Sequence, residues 1–506
     1  MQTSYVQQPE RSIGRAADSR GRNFCPLPVL LFSFVALVIF LFADLRVADA
    51  DIWFHLRNAH HLVTSHTFLH EDLYTFTSTG SPLVDHEWLS ELGYYVAFQV
   101  WGLRGLLAVL FVLLWLIFGG IYILAMRRGA HCGDAALLTT AGVALGSYSF
   151  GPRMNHFGWL CLVALLLVLE RFRQTGKGLW VLVPLFALWI NLHGSWVFGL
   201  VVFGIYLVSG LAEGQRGVVV ATRWKPAQLR HLTEVFAASV AVLFINPYGY
   251  KLVWYPFDLL FRQKANLDNV IEWQSVDFHT GWGKLALCMI FAVTSAAWFS
   301  RKTWEVRDVV LVTFAIWASL THLRFLLFAA IVLVPILAPR MRLFESYDRE
   351  DDVPSMNLAV TIAIAALIVF AYPSAARLQE VVDLQFPRNA LRFLQQERIQ
   401  GRLFHYYDYG GYIEWNAPAV RTFADGRTDI FTYNGVFDDY IAINQIERPL
   451  ELLDKYEIDY VLFPLGKRLT YVLDQSSAWH RIYGDQLVNI YQRVPMAATP
   501  TPKKPG

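Results

Sequence analysis

The chain has 506 residues, of which 55% are hydrophobic and only 17% charged, with a mean hydropathy of +0.36. A soluble domain carries about a quarter charged residues, so this composition excludes an ordinary water-soluble protein and points to the membrane class. The formal net charge of +2 is close to neutral and says nothing about partners; no nucleic-acid partner is expected.

The chain opens on a basic tail, residues 1–26, expected on the cytoplasmic side. A membrane helix needs about 20 mostly apolar residues. Candidates follow at Leu27–Ala43, Gly105–Met126, Asp134–Phe150, Phe157–Leu169, Leu179–Leu192, Trp196–Leu211 and Val235–Asn246, then Leu285–Phe299, Val309–Leu320, Leu323–Ala338 and Leu358–Tyr372. The first is no cleavable signal peptide, because the basic region before it is long and Asp44 follows without a small-residue cleavage pattern. Cys25, Cys132, Cys161 and Cys288 lie in or beside these segments. They read as buried small hydrophobes, not as a disulfide framework or zinc site.

Short cytoplasmic loops collect Lys and Arg. With the N-terminus inside, each inside segment is basic: Arg11, Arg15, Arg20 and Arg22; Arg127 and Arg128; Arg171, Arg173 and Lys177; Arg216, Arg223, Lys225 and Arg230; Arg301, Lys302 and Arg307; Arg340, Arg342 and Arg349. The outside turns carry little beyond Arg153 and Arg324. This alternation predicts about eleven spans and a C-terminus outside the cytoplasm.

Three outside regions are too long to be turns. The first outer loop, residues 44–102, holds two amphipathic stretches, Ile52–Val63 and Glu87–Val100, expected as helices on the membrane surface. The second, Tyr248–Trp282, is aromatic and mixed in charge. The third, residues 373–494, reads as a small α/β domain: helix Asn389–Arg398, strands Arg402–Tyr406 and Val420–Ala424, helix Leu450–Tyr456, strand Asp459–Phe463 and a hairpin near Arg481–Tyr483 and Leu487–Tyr491. The tail 495–506 is Pro- and Thr-rich, a composition of disorder. The fold class is therefore a polytopic α-helical membrane domain (27–372) with a C-terminal extracytoplasmic α/β domain.

Ionisable residues gather at the outer ends of these spans, while the span centres are almost free of charge. Asp49-Ala-Asp51-Ile-Trp53-Phe-His55 follows the first span, and Asp85-His86-Glu87-Trp88 opens the second surface helix. Helix capping accounts for one carboxylate in each cluster, but not for a second held close to a low-dielectric region. Asn155, His156, Asn191, His193, Asn246 and His322 add polar groups on the same side. Arg153 and Arg324 break the positive-inside trend at short turns. Besides snorkelling to head groups, an arginine there has a use, since its planar fork binds phosphate bidentately.

These residues resemble the GT-C class of membrane glycosyltransferases, which includes the oligosaccharyltransferase catalytic subunit, the protein O-mannosyltransferases and the aminoarabinose transferase of lipid A. Asp49 or Asp51 matches the acidic residue near the start of that class's first outer loop. Asp51-Ile-Trp-Phe-His55, His86-Glu-Trp-Leu-Ser-Glu91, Asn191-Leu-His-Gly194, Asn246-Pro-Tyr-Gly249 and Asp425-Gly-Arg427 look like a poorly characterised bacterial branch of it. His405-Tyr-Tyr407-Asp408-Tyr-Gly-Gly-Tyr412 is similar to the oligosaccharyltransferase acceptor motif, with Tyr406 and Tyr407 where that motif has tryptophans. Read without the resemblance, the segment is a Gly-Gly turn with packed aromatics.

The resemblance implies an enzyme of the bacterial cytoplasmic membrane. It would transfer a sugar from a polyprenyl-phosphate-linked donor in the membrane to an extracytoplasmic glycan, lipid or protein. Asp51 or Asp49 would be the base, and Arg153, Arg324 and His193 would surround the phosphate. His55, His86, Glu87, Tyr407 and Asp408 would contact substrate. A divalent cation, Mg or Mn, on Asp51, His55 and Glu87 is left open. The rival readings are a transporter, which places its ionisable groups near the bilayer midplane in repeated halves, and a non-catalytic assembly subunit.

Overall fold

The computed structural model describes residues 25–344, 347 and 352–494. The arginines of the N-terminal tail, Arg349 and the Pro- and Thr-rich tail lie outside the described residues.

Each expected span overlaps a helix with ends shifted by a few residues, except Val235–Asn246, whose helix starts at Pro226 and ends at Ala241. Five helical segments are long and apolar enough to cross a membrane: Leu103–Arg127, Asn155–Thr175, Gly281–Phe299, Leu323–Arg340 and Pro354–Ala371. The other helices on expected spans run from 11 to 17 residues. Local chemistry sets several ends. Prolines occupy the first turn of the helices starting at Leu27, Pro226 and Pro354, where a missing N–H costs nothing. Gly176, at φ +69°, stops Asn155–Thr175 with a left-handed cap.

The interior helix is Leu326–Leu337, buried at every residue, as expected of a helix apolar all round. Gly142 and Gly146 of Cys132–Gly146 let it approach closely; a Cβ on Gly146 would fall 2.8 Å from Leu327 Cδ1. By contrast, Pro354–Ala371 buries only Asn357 and Ile364, and Gly281–Phe299 is mostly exposed. Long apolar helices with exposed flanks need lipid around them, and the chain is a multi-pass helical membrane protein.

The outer-loop helices are Ile52–Ser65 and Trp88–Trp101, packed against each other. In the C-terminal region a four-stranded sheet runs in the order Leu403–His405, Tyr460–Pro464, Val488–Arg493, Trp479–Gly484; the first pair is parallel and the others antiparallel. The expected strand Val420–Ala424 is not in it. The Thr422 carbonyl instead accepts from Phe76 N–H at 3.1 Å, and Phe423 N–H donates to His405 Nε2 at 3.2 Å, so this backbone pairs with the outer loop and a side chain. The Gly-Gly turn is also corrected, since Gly410 and Gly411 open a helix, Gly410–Asn416, that packs on Ile52–Ser65. At the basic end of the bundle, Gly214–Arg216, Val219–Ala221 and Trp304–Glu305 form a small sheet that no sequence pattern announced.

The basic alternation carries a direct test of topology. A reporter fused after Arg493 is expected to be extracytoplasmic and one at Gly176 cytoplasmic. A cytoplasmic reporter after Arg493 would mean an even number of crossings between the termini.

Candidate active site

A cavity of about 430 Å³ lies between the helices Ile52–Ser65 and Trp88–Trp101, one end of the bundle and the C-terminal domain. The outer loop lines it with Asp51, His55, Asp85, His86, Glu87 and Glu91. The bundle contributes Arg153, His193, Glu272 and Arg324, and the C-terminal domain contributes Tyr407 and Arg427. One wall is apolar, built from Trp159, Phe198, Leu259, Leu260, Trp317 and Phe325. Charged groups and hydrocarbon in one lining suit an amphipathic ligand.

Asp51 holds the N-cap position of its helix but makes no cap bond, and its backbone is already helical. Its own N–H donates to Asp49 Oδ1 at 3.0 Å. Asp49 accepts at Oδ2 from Arg153 Nε at 2.6 Å, and Arg153 also pairs with Glu272. The two aspartates therefore differ: Asp49 is engaged with an arginine, whereas Asp51 faces the cavity. Burial, reinforced by the Asp49 carboxylate and opposed by Arg153 and His55, pushes Asp51 up to about 6.

Glu87 is likewise no cap. Its carboxylate meets His193 Nε2 at 3.1 Å, His55 Nε2 at 3.5 Å and His86 Nε2 at 3.7 Å. Burial raises it to about 7 against the nearby His55 and Arg324 charges. His193 Nδ1 accepts from Ser195 N–H at 2.9 Å, which leaves the ring hydrogen on Nε2, facing Glu87. Burial and the neighbouring His86 hold His193 well below the ordinary range, so this ring stays neutral. His86 stacks on Tyr255 with 4.2 Å between ring centroids, and burial lowers it to about 3.

Two carboxylates that were not picked out as site residues complete this wall. Glu91 Oε1 takes His55 Nδ1 at 2.6 Å and Asn58 Nδ2 at 3.1 Å, and burial lifts Glu91 to about 8. Asp85 is raised well above the usual range by burial and by Glu91. The available signal was spacing, because Glu87 and Glu91 at i and i+4 share a helix face turned to His55. Among the described residues no group of three or more His, Cys, Asp or Glu is arranged to hold a metal ion. Within the Asp51, His55, Glu87 set, His55 meets Glu87 through Nε2 and Glu91 through Nδ1.

The arginines divide as sharply as the aspartates. Arg324 makes no ion pair or hydrogen bond among the described residues. Its guanidinium lies over the Trp273 ring, 4.2 Å from the centroid, in a segment pinned by a 2.6 Å hydrogen bond from His322 Nδ1 to the Trp273 carbonyl. Arg427, also absent from the sequence-level site, is buried between Asp425 and Asp72, with Nη2 at 2.8 Å from Asp72 Oδ1. Its Nη1 is buried without a partner. Tyr407 presents a hydroxyl that is buried and unpaired, while Asp408 is not among the residues lining the cavity.

The C-terminal domain also sets the position of Asp51. Gly411 and Gly426 press on the Asp51–Phe54 turn: a Cβ on Gly411 would fall 2.8 Å from Phe54 N, and one on Gly426 would collide with the Asp51 carboxylate and the Phe54 ring. Gly426→Ala should therefore displace Asp51. A shift of about 1 Å at a reacting group costs on the order of 10²-fold in rate, so activity should fall by about that factor in protein that still folds. Unchanged turnover in Gly426→Ala would separate this glycine from the chemistry.

No family model matches the chain, and no curated protein does. Among solved structures, ArnT from Cupriavidus metallidurans bound to undecaprenyl phosphate is 14% identical, with a TM-score of 0.48, over 94% of this chain and 99% of that one. ArnT from Cupriavidus metallidurans in the apo state is 13% identical, with a TM-score of 0.41, over 92% and 98%. ArnT is a GT-C glycosyltransferase, the class that the sequence motifs resemble. With TM-scores below 0.5 the likeness is one of outline and says nothing of this chain's chemistry.

Proposed function

We propose that the chain is a membrane glycosyltransferase that takes a sugar from a polyprenyl-phosphate donor and passes it to a hydroxyl acceptor on the extracytoplasmic side. The observation that carries this reading is the pairing of Asp51, a carboxylate raised to about 6, with Arg324, a cation without a carboxylate partner, in one cavity with an apolar wall. The carboxylate is a base, the guanidinium a phosphate site, and the wall a seat for the first isoprene units.

Chemically, the acceptor oxygen attacks the anomeric carbon as its proton passes to an Asp51 carboxylate oxygen. The bond from the anomeric carbon to the phosphate oxygen breaks, and the lipid phosphate leaves with the electron pair. Arg324 neutralises the charge that grows on that phosphate. Glu87 faces the sugar end, held in place by His193, which donates from Nε2 as a neutral ring, and by His55. Arg153 keeps Asp49 engaged, which leaves Asp51 as the available base.

The test is donor turnover. The purified chain in liposomes is given a polyprenyl-phosphate-linked labelled sugar together with envelope extract as acceptor, and release of polyprenyl phosphate is followed. Turnover that is abolished in the Asp49→Asn, Asp51→Asn double variant supports the reading. Equal turnover in wild type and double variant overturns it.

A further inference from the structure

A second cavity, of about 480 Å³, opens at the other end of the bundle. Three helices reach from one cavity to the other. Asn155–Thr175 places Asn155 in the first and Arg173 in the second; Trp196–Ser209 places Val197 and Ser209; Val306–Thr321 places Ala318 and Arg307. The longest has 21 residues, roughly 30 Å of α-helix, which matches a hydrocarbon core. The two cavities therefore face opposite sides of the membrane.

The charged residues lining this second cavity are Arg173, Arg223, Lys225 and Arg307, against the single carboxylate of Glu305. Arg307 is only 5% exposed. Its Nε lies 3.3 Å from Asp308 Oδ1, but that carboxylate also serves Arg128 at 3.2 Å and Arg340 at 3.5 Å. Burying a cation is costly unless it is paired. Asp308 and Glu170 serve Arg128, Arg173, Arg307 and Arg340 between them, which leaves positive charge in excess beside a chamber that also holds Arg223 and Lys225 against Glu305. Thr222 adds a hydroxyl donor to the lining, while the Thr175 and Ser209 hydroxyls donate to the Arg171 and Tyr206 carbonyls. Planar guanidinium forks with hydroxyl donors are the chemistry that recognises phosphate oxygens.

We propose that this cavity is a phosphate-binding site, distinct from the transfer site and on the opposite membrane face. Its ligand is either the headgroup of an anionic lipid in that leaflet or a soluble phosphorylated molecule. The site stands whether or not the chain is a glycosyltransferase, because it shares no residue with the first cavity.

The test uses the full chain in two arms. In the first, protein from nanodiscs containing phosphatidylglycerol is washed in detergent and the retained lipid is counted by native mass spectrometry. In the second, delipidated protein is titrated with inorganic phosphate, with chloride at matched ionic strength, and the unfolding midpoint is read. The exposed pair Arg223→Gln, Lys225→Gln should weaken binding by about tenfold or more, as expected for charged hydrogen bonds. Arg230→Gln should change nothing, since Arg230 lies outside the cavity on Glu234. Lipid retention lost in the double variant assigns a headgroup; midpoint protection by inorganic phosphate, lost in the same variant, assigns a soluble phosphate. Arg307→Gln probes the floor, and the exposed pair decides the matter if that variant does not fold. Neither retention nor protection, or both undiminished in the double variant, overturns the proposal.

Discussion

Asp51→Asn is expected to lower the transfer rate by ~10²–10⁴-fold, the contribution of a general base, with expression and folding little changed. The amide keeps the volume of the carboxyl group and its reach to the acceptor but cannot take a proton. Burial raises Asp51 to about 6, so the wild-type rate should fall as pH drops below about 6, where the base becomes protonated, and that limb should vanish in the variant. The stability consequence has the same origin. A folded value above the unfolded one contributes stability fully below the unfolded pKa and loses it as pH rises through about 6. Asp51 is thus ionised at neutral pH at the expense of stability, and Asp51→Asn should be no less stable there. Asp49→Asn should have the smaller kinetic effect, acting through Arg153. Rate against pH for both variants checks this, and a larger loss at Asp49 would exchange their roles.

Arg324→Gln is expected to cost ~10²–10³-fold in turnover, the range for removing one preorganised group from a developing anion. Arg324→Lys should recover part of it, since it keeps the charge but loses the planar stack on Trp273 and the bidentate fork. The product polyprenyl phosphate should inhibit both variants less strongly than wild type. Arg153→Gln should behave differently. Arg153 lowers Asp51, so its loss should move the acid limb of the rate profile to higher pH. Equal product inhibition in wild type and Arg324→Gln would remove Arg324 from the phosphate site.

Much of the architecture was legible in the chain because a bilayer imposes a simple code. Runs such as Leu27–Ala43 and Gly105–Met126 announce helices through apolar length alone, and basic loops raise an expectation of side. The C-terminal region, residues 373–494, obeyed no such code. Val420–Ala424 has a strand's composition, yet its backbone pairs with the outer loop, and the Gly410-Gly411 pair serves close packing, Gly410 on the Ala424–Asp425 backbone and Gly411 on Phe54, and not a turn. Asp49, Asp51, Glu87, Arg153, His193 and Arg324 were visible as a group because charge at a membrane boundary is costly and so conspicuous.

Which of them can act was a matter of three-dimensional pairing. Asp49 and Asp51 are chemically alike and two positions apart, yet one is bound to Arg153 and the other faces the cavity. Arg153 and Arg324 both break the positive-inside trend, yet one is held by two carboxylates and the other by an indole ring. Glu91 and Arg427 were passed over because their partners, His55 and Asp72, are 36 and 355 residues away in the chain. Hydropathy is a property of each residue and survives in the linear order. Availability for proton transfer or for phosphate depends on which opposite charge lies within a few ångströms, and only the packing of distant segments sets that distance.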